Sequence, residues 1–343
     1  EFLKDSGARN AGNKARNDVE EIVVREGYSP LLLMVDDWYQ MGTIRAQRHK
    51  AKALSKAISK LKEGDQLLIQ FPMLHHSFFT PHLVKRMQRK GVKVHFIIHD
   101  LEVLRYANLD TVPWKHKIRV HLQESSLLKQ ADGLIAHNPV MKSVLVDKGI
   151  SEKKIVSLGI FDYLIPNYQD KEDLSKEGAI IVAGNLAQEK AGYLYELPAR
   201  PAYNLYGVGF DEARKLSNET YFGSFLPDEL PSALEGSFGL VWDGDSSKTC
   251  SGVFGEYLRY NNSHKASLYL ASGFPIIVWG QSALANFVLE KECGISVESL
   301  LDLEEVLDNL SQEEYQDLVK NAKAVGQKIR EGSYLLSALQ SLK

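Results

Sequence analysis

A histidine and a lysine open a short apolar helix in the stretch Asn262-Ser263-His264-Lys265-Ala266-Ser267-Leu268-Tyr269-Leu270-Ala271-Ser272-Gly273-Phe274-Pro275. Ser263 has the side chain of an N-cap, and Gly273 closes the helix before the next strand. His264 and Lys265 then fall in the first turn, where a cation opposes the helix dipole at a cost of roughly a few tenths of a kcal/mol. A sequence chosen for stability alone places Asp or Glu there. Backbone N–H groups at a helix N-terminus, with Lys265 beside them, make a site suited to a diphosphate. The same lysine also suits a solvated surface.

Three other places carry chemically capable residues. The loop Ser6–Lys14 is rich in glycine and donors, with Gly7, Arg9, Asn10 and Gly12, and runs into a helix. It can cradle phosphates or an acceptor. It is not a G-x-G-x-x-G, so a nicotinamide cofactor gains no support. Asp243-Gly244-Asp245 follows a strand, as carboxylates that hold Mg²⁺ or Mn²⁺ on a diphosphate do, but the glycine and Ser246-Ser247 equally make a plain turn. His99 and Asp100 end a strongly apolar strand, with Glu102 close behind. Asp100 also suits a cap on the next helix. His75-His76 follows an earlier strand.

The elements that position these residues alternate. Strands are expected at Leu31–Val35, Gln66–Phe71, Val92–Ile98, Gly133–Ala136 and Ile155–Leu158, near-continuously apolar as strands buried on both faces are. Helical patterns lie between them at Asn13–Arg25, Arg45–Lys62, Thr80–Lys90, Lys115–Gln130 and Pro139–Lys148. No strand precedes the Ser6–Lys14 loop, so a first strand is either lost or reduced to Phe2-Leu3. Pro166-Asn167 and a charged run make 161–176 read as an interdomain linker.

The alternation then resumes. Strands are expected at Ala179–Ala183, Ala202–Tyr206, Thr220–Gly223, Phe238–Trp242 and Pro275–Trp279. Helices are expected at Pro227–Leu234, Ser263–Ser272, Ser282–Lys291, Leu303–Leu310, Gln312–Glu331 and Ser333–Leu342. The fold class is therefore α/β, with two Rossmann-like domains and a C-terminal helical tail: residues 1–165, 177–325 and 326–343. Ligands of such sheets sit beyond the carboxyl ends of the strands, which points to the cleft between the domains.

Length and composition fit this layout. The chain has 343 residues, long for one core. With 44% apolar and 25% charged residues it has the composition of a globular protein. A net charge of −3 removes bulk charge as an argument for nucleic-acid binding. Two cysteines, Cys250 and Cys293, make no disulfide framework and favour a reducing compartment. No apolar run approaches the about 20 residues that span a bilayer. No signal peptide opens the chain, so a cytoplasmic location is expected. The helix Arg45–Lys62 carries seven Lys or Arg and no acid. Its Leu54, Ala57, Ile58 and Leu61 form a core stripe. The basic remainder suits either solvent or anionic lipid.

The segment Gly236–Trp279 resembles bacterial glycosyltransferases of GT-B architecture, in the group of β-1,6-galactofuranosyltransferases and adhesin-glycan glucosyltransferases. Ala11-Gly12-Asn13-Lys14-Ala15, Phe96-Ile97-Ile98-His99-Asp100, Ala183-Gly184-Asn185 and Tyr221-Phe222-Gly223-Ser224-Phe225-Leu226-Pro227 extend the resemblance over most of the chain. It implies a UDP-sugar bound by the C-terminal half and acceptor contacts from the N-terminal half. On that reading Lys265, with His264 and Ser263, holds the diphosphate. Gly184 and Asn185 lie in the cleft, and Tyr206, Gly207, Phe225 and Leu226 border the uracil.

An inverting transfer needs one base to deprotonate the acceptor hydroxyl, and Asp100 or His99 fits by position. GT-B enzymes generally work without bound metal, so Asp243-Gly244-Asp245 reads as a turn or a contact to sugar hydroxyls. No cofactor beyond the UDP-sugar co-substrate is implied. Galactofuranose is the first expectation for the sugar and glucose the second. Partners on this reading are the donor, a glycan acceptor free or lipid-linked, the inner membrane face and a second copy of the chain, with no nucleic acid. The competing classes are a sugar-nucleotide epimerase of the same fold and a non-enzymatic two-lobed sugar-binding protein.

Overall fold

The computed structural model describes residues 13–31, 43–73, 80–106, 124–172 and 174–342. The chain divides into two compact units, each built on its own parallel sheet. Among the described residues no helix is long and apolar enough to cross a membrane.

The first unit runs to Leu158 and has the strand order β1-β2-β3-β4, from Gln66–Phe71, Lys93–Ile98, Gly133–Ala136 and Ile155–Ser157. Its helices are α1 (Lys14–Arg25, from Glu20 onward), α2 (Thr43–Ile58), α3 (Thr80–Arg89), α4 (Glu102–Arg105), the helical residues 124–130 (α5) and α6 (Pro139–Asp147). β2 and β3 sit at its centre, with Val94, Phe96, Ile97, Ile98, Leu134 and Ile135 fully buried. A strand apolar on both faces can be buried only between two helical layers, which fixes β2 in the interior. Pro139 at the first turn and Asn138, whose side chain accepts from the Met141 amide, start α6. The expected strand Leu31–Val35 and the expected helix from Lys115 lie outside the described residues, except for Leu31 and 124–130.

The second unit has six parallel strands in the order β10-β9-β8-β5-β6-β7. These are β5 (Ile180–Asn185), β6 (Tyr203–Val208), β7 (Glu219–Tyr221), β8 (Gly239–Val241), β9 (Ile276–Trp279) and β10 (Gly294–Val297). Alternate residues of one strand enter different cores: Ile181 and Ala183 face one cluster, Ile180 and Val182 the other. Helices therefore cover both faces. They are α7 (Gln188–Ala191), α8 (Leu230–Ala233), α9 (Gly252–Tyr257), α10 (His264–Ala271), α11 (Ala285–Glu290), α12 (Leu303–Asn309), α13 (Gln312–Glu331) and α14 (Ser333–Ser341, assigned here through Leu336). Strand order reverses between β5 and β8, which makes their carboxyl ends the topological switch point.

Several expectations need correction. β10 was not expected, because Gly294-Ile295-Ser296-Val297 is too short and too mixed to stand out. The helix expected over Pro227–Leu234 forms only as Leu230–Ala233. Residues 161–164 are no loose linker: Phe161, Asp162, Tyr163 and Leu164 are buried within the second unit. There the Asp162 carboxylate accepts the Leu335 amide at 2.8 Å, and the Tyr163 hydroxyl donates to the Pro227 carbonyl at 2.9 Å.

Candidate functional site

At the switch point the sequence places small residues at the strand ends and one lysine above them. β5 ends in the exposed pair Gly184-Asn185, and β8 runs into Trp242-Asp243. α10 is pinned beneath them by Tyr269. Its hydroxyl accepts the Ala183 amide at 2.7 Å, and its ring fills the place where a side chain on Gly239 would stand. α13 clamps the other side of α10. Gly326 leaves no room for a Cβ against the Leu270 carbonyl, and Arg330 donates to the Ala271 carbonyl at 2.6 Å. Lys265, one turn before Tyr269, is thereby aimed at the strand ends.

Its ammonium donates to the Trp242 carbonyl at 2.9 Å and to Asp243 Oδ1 at 2.7 Å. The two side chains are 11% and 8% exposed. Burial pulls the lysine pKa down, and the Asp243 charge opposes that fall. Asp243 supplies the counter-charge that the adverse helix dipole withholds. That commits the carboxylate expected in a turn or sugar contact, while Asp245 accepts from the Ser251 hydroxyl.

The other expected members of the site fare differently. A Cβ on Gly207 would lie 1.8 Å from the Gly184 carbonyl oxygen, so glycine is obligatory where β6 pairs with β5. Gly207→Ala is expected to cost about 3 kcal/mol or more, read as a lower urea midpoint with unchanged slope; an unchanged midpoint would show that β5 and β6 separate readily. Gly184, at φ +124°, also requires glycine, and a Cβ there would only touch Lys265 Cε at 3.7 Å. Asn185 Oδ1 accepts the Ala187 amide in a local turn.

Tyr206 is fully buried and offers no open face. Its ring stacks on Phe222 at 4.8 Å, and its hydroxyl accepts the Glu235 amide. The exposed apolar surface beside it belongs to Val208, Phe222 and Leu226. Phe222 is therefore the exposed ring beside Tyr206, and nothing in its local sequence distinguishes it from its aromatic neighbours.

Ser263 holds the N-cap position with extended dihedrals, but its side chain makes no capping bond. His264 is not a cation in the first turn. It packs against the rings of Phe161 and Tyr163, and burial pushes its pKa down to about 4, with the nearby Lys14 charge adding to the fall. Lys14 itself is buried and donates to Asp18 Oδ1 at 2.8 Å and to the Leu164 carbonyl at 2.7 Å, with Asp228 Oδ1 at 2.8 Å. Gly7, Arg9, Asn10 and Gly12, and also His75 and His76, lie outside the described residues.

His99 and Asp100 belong to the first unit, at the carboxyl end of β2. His99 Nε2 meets Gln70 Oε1 at 2.7 Å. Asp100 does not cap α4. The N-cap position there is Leu101, and Asp100 instead accepts from Arg105 Nη2 at 2.6 Å with its side chain 42% exposed. The capping carboxylate is Glu124, which accepts the amides of Glu102 and Val103 at 3.0 and 2.9 Å. Buried His137, at the end of β3, lies against the backbone of Ile98 and His99. Burial pushes its pKa down to about 4, and the Asp100 charge opposes that. Neither Glu124 nor His137 was signalled by the sequence, because each meets its partners only through tertiary contacts.

Glu124 gives this cluster a pH signature. Burial pushes its pKa up to about 7 from 4.5, and the charges of Glu102 and Asp100 add to the rise. Below pH 4.5 both folded and unfolded chains hold the proton. As pH rises toward 7 the unfolded chain releases it first, so stability falls by on the order of 3 kcal/mol. Glu124→Gln should flatten that part of the stability–pH curve. Identical curves for the two proteins between pH 4.5 and 8 would contradict the assignment.

Against known proteins, residues 3–160 match the family described as "Glucosyltransferase 3-like, N-terminal domain", and residues 180–342 match "Glucosyltransferase 3-like, C-terminal domain". The chain is 32% identical over 349 residues to the beta-1,6-galactofuranosyltransferase WbbI of Escherichia coli K12, covering 99% of this chain and 97% of that enzyme. In fold it is similar to sucrose-phosphate synthase from Thermosynechococcus elongatus, with a TM-score of 0.62, 14% identity, and 95% and 90% of the two chains covered. It is also similar to HepE of Anabaena in complex with UDP, with a TM-score of 0.55, 11% identity, and 86% and 82% covered.

Proposed function

The chain belongs to the glucosyltransferase 3-like family and is a glycosyltransferase of GT-B architecture, and from that premise we propose that it moves a hexosyl unit from a UDP-sugar to a hydroxyl of a glycan acceptor. Lys265 carries the proposal: it is a part-buried ammonium at a helix N-terminus, aimed at the carboxyl ends of β5 and β8. The donor's diphosphate accepts from Lys265 Nζ and from the first amides of α10, displacing the Asp243 carboxylate from part of the lysine's hydrogen bonding. Charge builds on the leaving UDP as the bond from the anomeric carbon to the diphosphate oxygen breaks, and fixed donors at that oxygen stabilise it. Lys190, whose charge acts on Lys265, adds to the positive field. The uracil lies along the exposed surface of Phe222 and Leu226, which Tyr206 supports from beneath.

Transfer is inverting and needs no metal ion. The acceptor oxygen attacks the anomeric carbon from the face opposite the diphosphate while a base takes its proton. Asp100 is that base, oriented by Arg105, with His99 beside it. Similarity to a galactofuranosyltransferase over nearly the whole chain supports galactofuranose as the donor sugar, and the family's description supports glucose as the second. The acceptor is a growing surface glycan on a lipid carrier.

The test incubates the protein with radiolabelled UDP-galactofuranose or UDP-glucose and a lipid-linked glycan acceptor, in the presence of a chelator. Label should enter the acceptor from UDP-galactofuranose. Transfer from UDP-glucose alone would reverse the sugar assignment. Label that changes sugar identity without an acceptor would overturn transfer altogether.

A further inference from the structure

We propose that α2 and α3 together form a docking surface for an anionic phospholipid bilayer. The exposed residues of α2 include Ile44, Arg48, Lys52 and Lys56, which recur four apart and so stand on one ridge of the helix, with Arg45 three residues before Arg48 beside it. The exposed residues of α3 and the turn that ends it include Lys85, Arg86, Arg89 and Lys90. The two helices pack on each other, with Arg86 Nη1 3.4 Å from the Ser55 hydroxyl. Their inner faces are apolar, with Ile58, Leu83, Val84 and Met87 buried. The result is eight exposed cations, seven on two adjoining helices that contain no acidic residue and Lys90 in the turn after α3, in a chain whose net charge is −3. No carboxylate among the described residues pairs with any of the eight.

A ridge from Ile44 to Lys56 is about 18 Å long at the rise of an α-helix, enough to meet several lipid headgroups at once. Cations within a Debye length of an anionic leaflet gain from its surface potential, and the gains add along a flat array. Ile44 decides between polyanions. It is 72% exposed and stands in line with Arg48, Lys52 and Lys56, at the end of the ridge. An aliphatic side chain flanked by arginines enters the headgroup region of a bilayer, whereas a phosphate backbone offers it nothing. The surface involves neither Lys265 nor Asp100, so its failure and the failure of the transferase reading are separable.

The test is co-sedimentation of the full chain with vesicles of phosphatidylcholine containing phosphatidylglycerol, and with phosphatidylcholine alone. Binding should require the anionic lipid and weaken at least about tenfold between about 50 and 300 mM salt. Replacing Arg45, Arg48, Lys52 and Lys56 by glutamine should lower partitioning at least tenfold, with UDP affinity and melting temperature unchanged. Lys85→Gln with Arg89→Gln should lower it by a smaller factor, and Ile44→Ser should weaken binding without changing its salt dependence. Equal binding to both vesicles, no binding to either, or full binding by the glutamine variants would overturn the proposal. So would duplex DNA that binds the same ridge more tightly than the anionic vesicles.

Discussion

Replacing Lys265 by alanine is expected to lower kcat/KM for the UDP-sugar by about 100- to 1,000-fold, the range seen when one preorganised donor to a developing oxyanion is removed. Part of the loss is ground-state binding. A charge-assisted hydrogen bond contributes about 1.5–3 kcal/mol, or roughly 10- to 150-fold in affinity. The remainder appears in kcat, because negative charge on the diphosphate grows as UDP leaves. The variant also strands Asp243, whose side chain is 8% exposed and loses its cation. Breaking one side of a buried pair destabilises the fold, so the single variant should melt earlier than the parent.

Lys265→Ala combined with Asp243→Asn removes the stranded charge. It should recover most of the melting temperature and none of the activity. Activity that returns with stability would mean that Lys265 is structural and that the diphosphate lies elsewhere.

Asp100→Asn is the second large effect. A positioned base contributes about 100- to 10,000-fold, and the asparagine keeps the shape and the contact with Arg105 while losing the proton acceptor. The expected result is a fall in kcat of that size with the donor KM within about threefold of the parent. His99→Gln should cost less, because His99 Nε2 is engaged with Gln70. If His99→Gln abolishes transfer and Asp100→Asn leaves kcat within threefold, the two roles are exchanged. Loss of donor affinity in Asp100→Asn would instead place Asp100 at the nucleotide.

The helical frame was legible where local chemistry and tertiary demand agree. α13 forms over the expected Gln312–Glu331 because Ser311 and Glu314 make a reciprocal capping box and Gly332 ends it in the left-handed conformation. β9 was legible as a continuous apolar run and β2 as an apolar run interrupted by His95. β10 was not, since it is a strand only by virtue of its pairing with β9.

The first turn of α10 shows how far spacing alone can lead. The adverse charge at Lys265 is met by the Asp243 carboxylate and the Trp242 carbonyl. The reading of His264 as a second cation failed because burial, which spacing does not report, keeps it neutral. Lys265 finds its counter-charge 22 residues away on Asp243, and Glu124 reaches the Glu102 amide of α4 from 22 residues further along the chain. Such partners become neighbours only when strands align. The carboxyl-end placement of His99, Asp100, Gly184 and Asn185 followed from the strand pattern. β6 continues past the expected end at Tyr206 to Val208, and the exposed ring beside buried Tyr206 is Phe222.

The most direct test is calorimetric titration of UDP and of uridine into the parent protein and into Lys265→Ala with Asp243→Asn. A diphosphate held by Lys265 at the start of α10 predicts that UDP affinity falls at least about tenfold while uridine affinity is unchanged. Equal UDP affinity in the two proteins would contradict it.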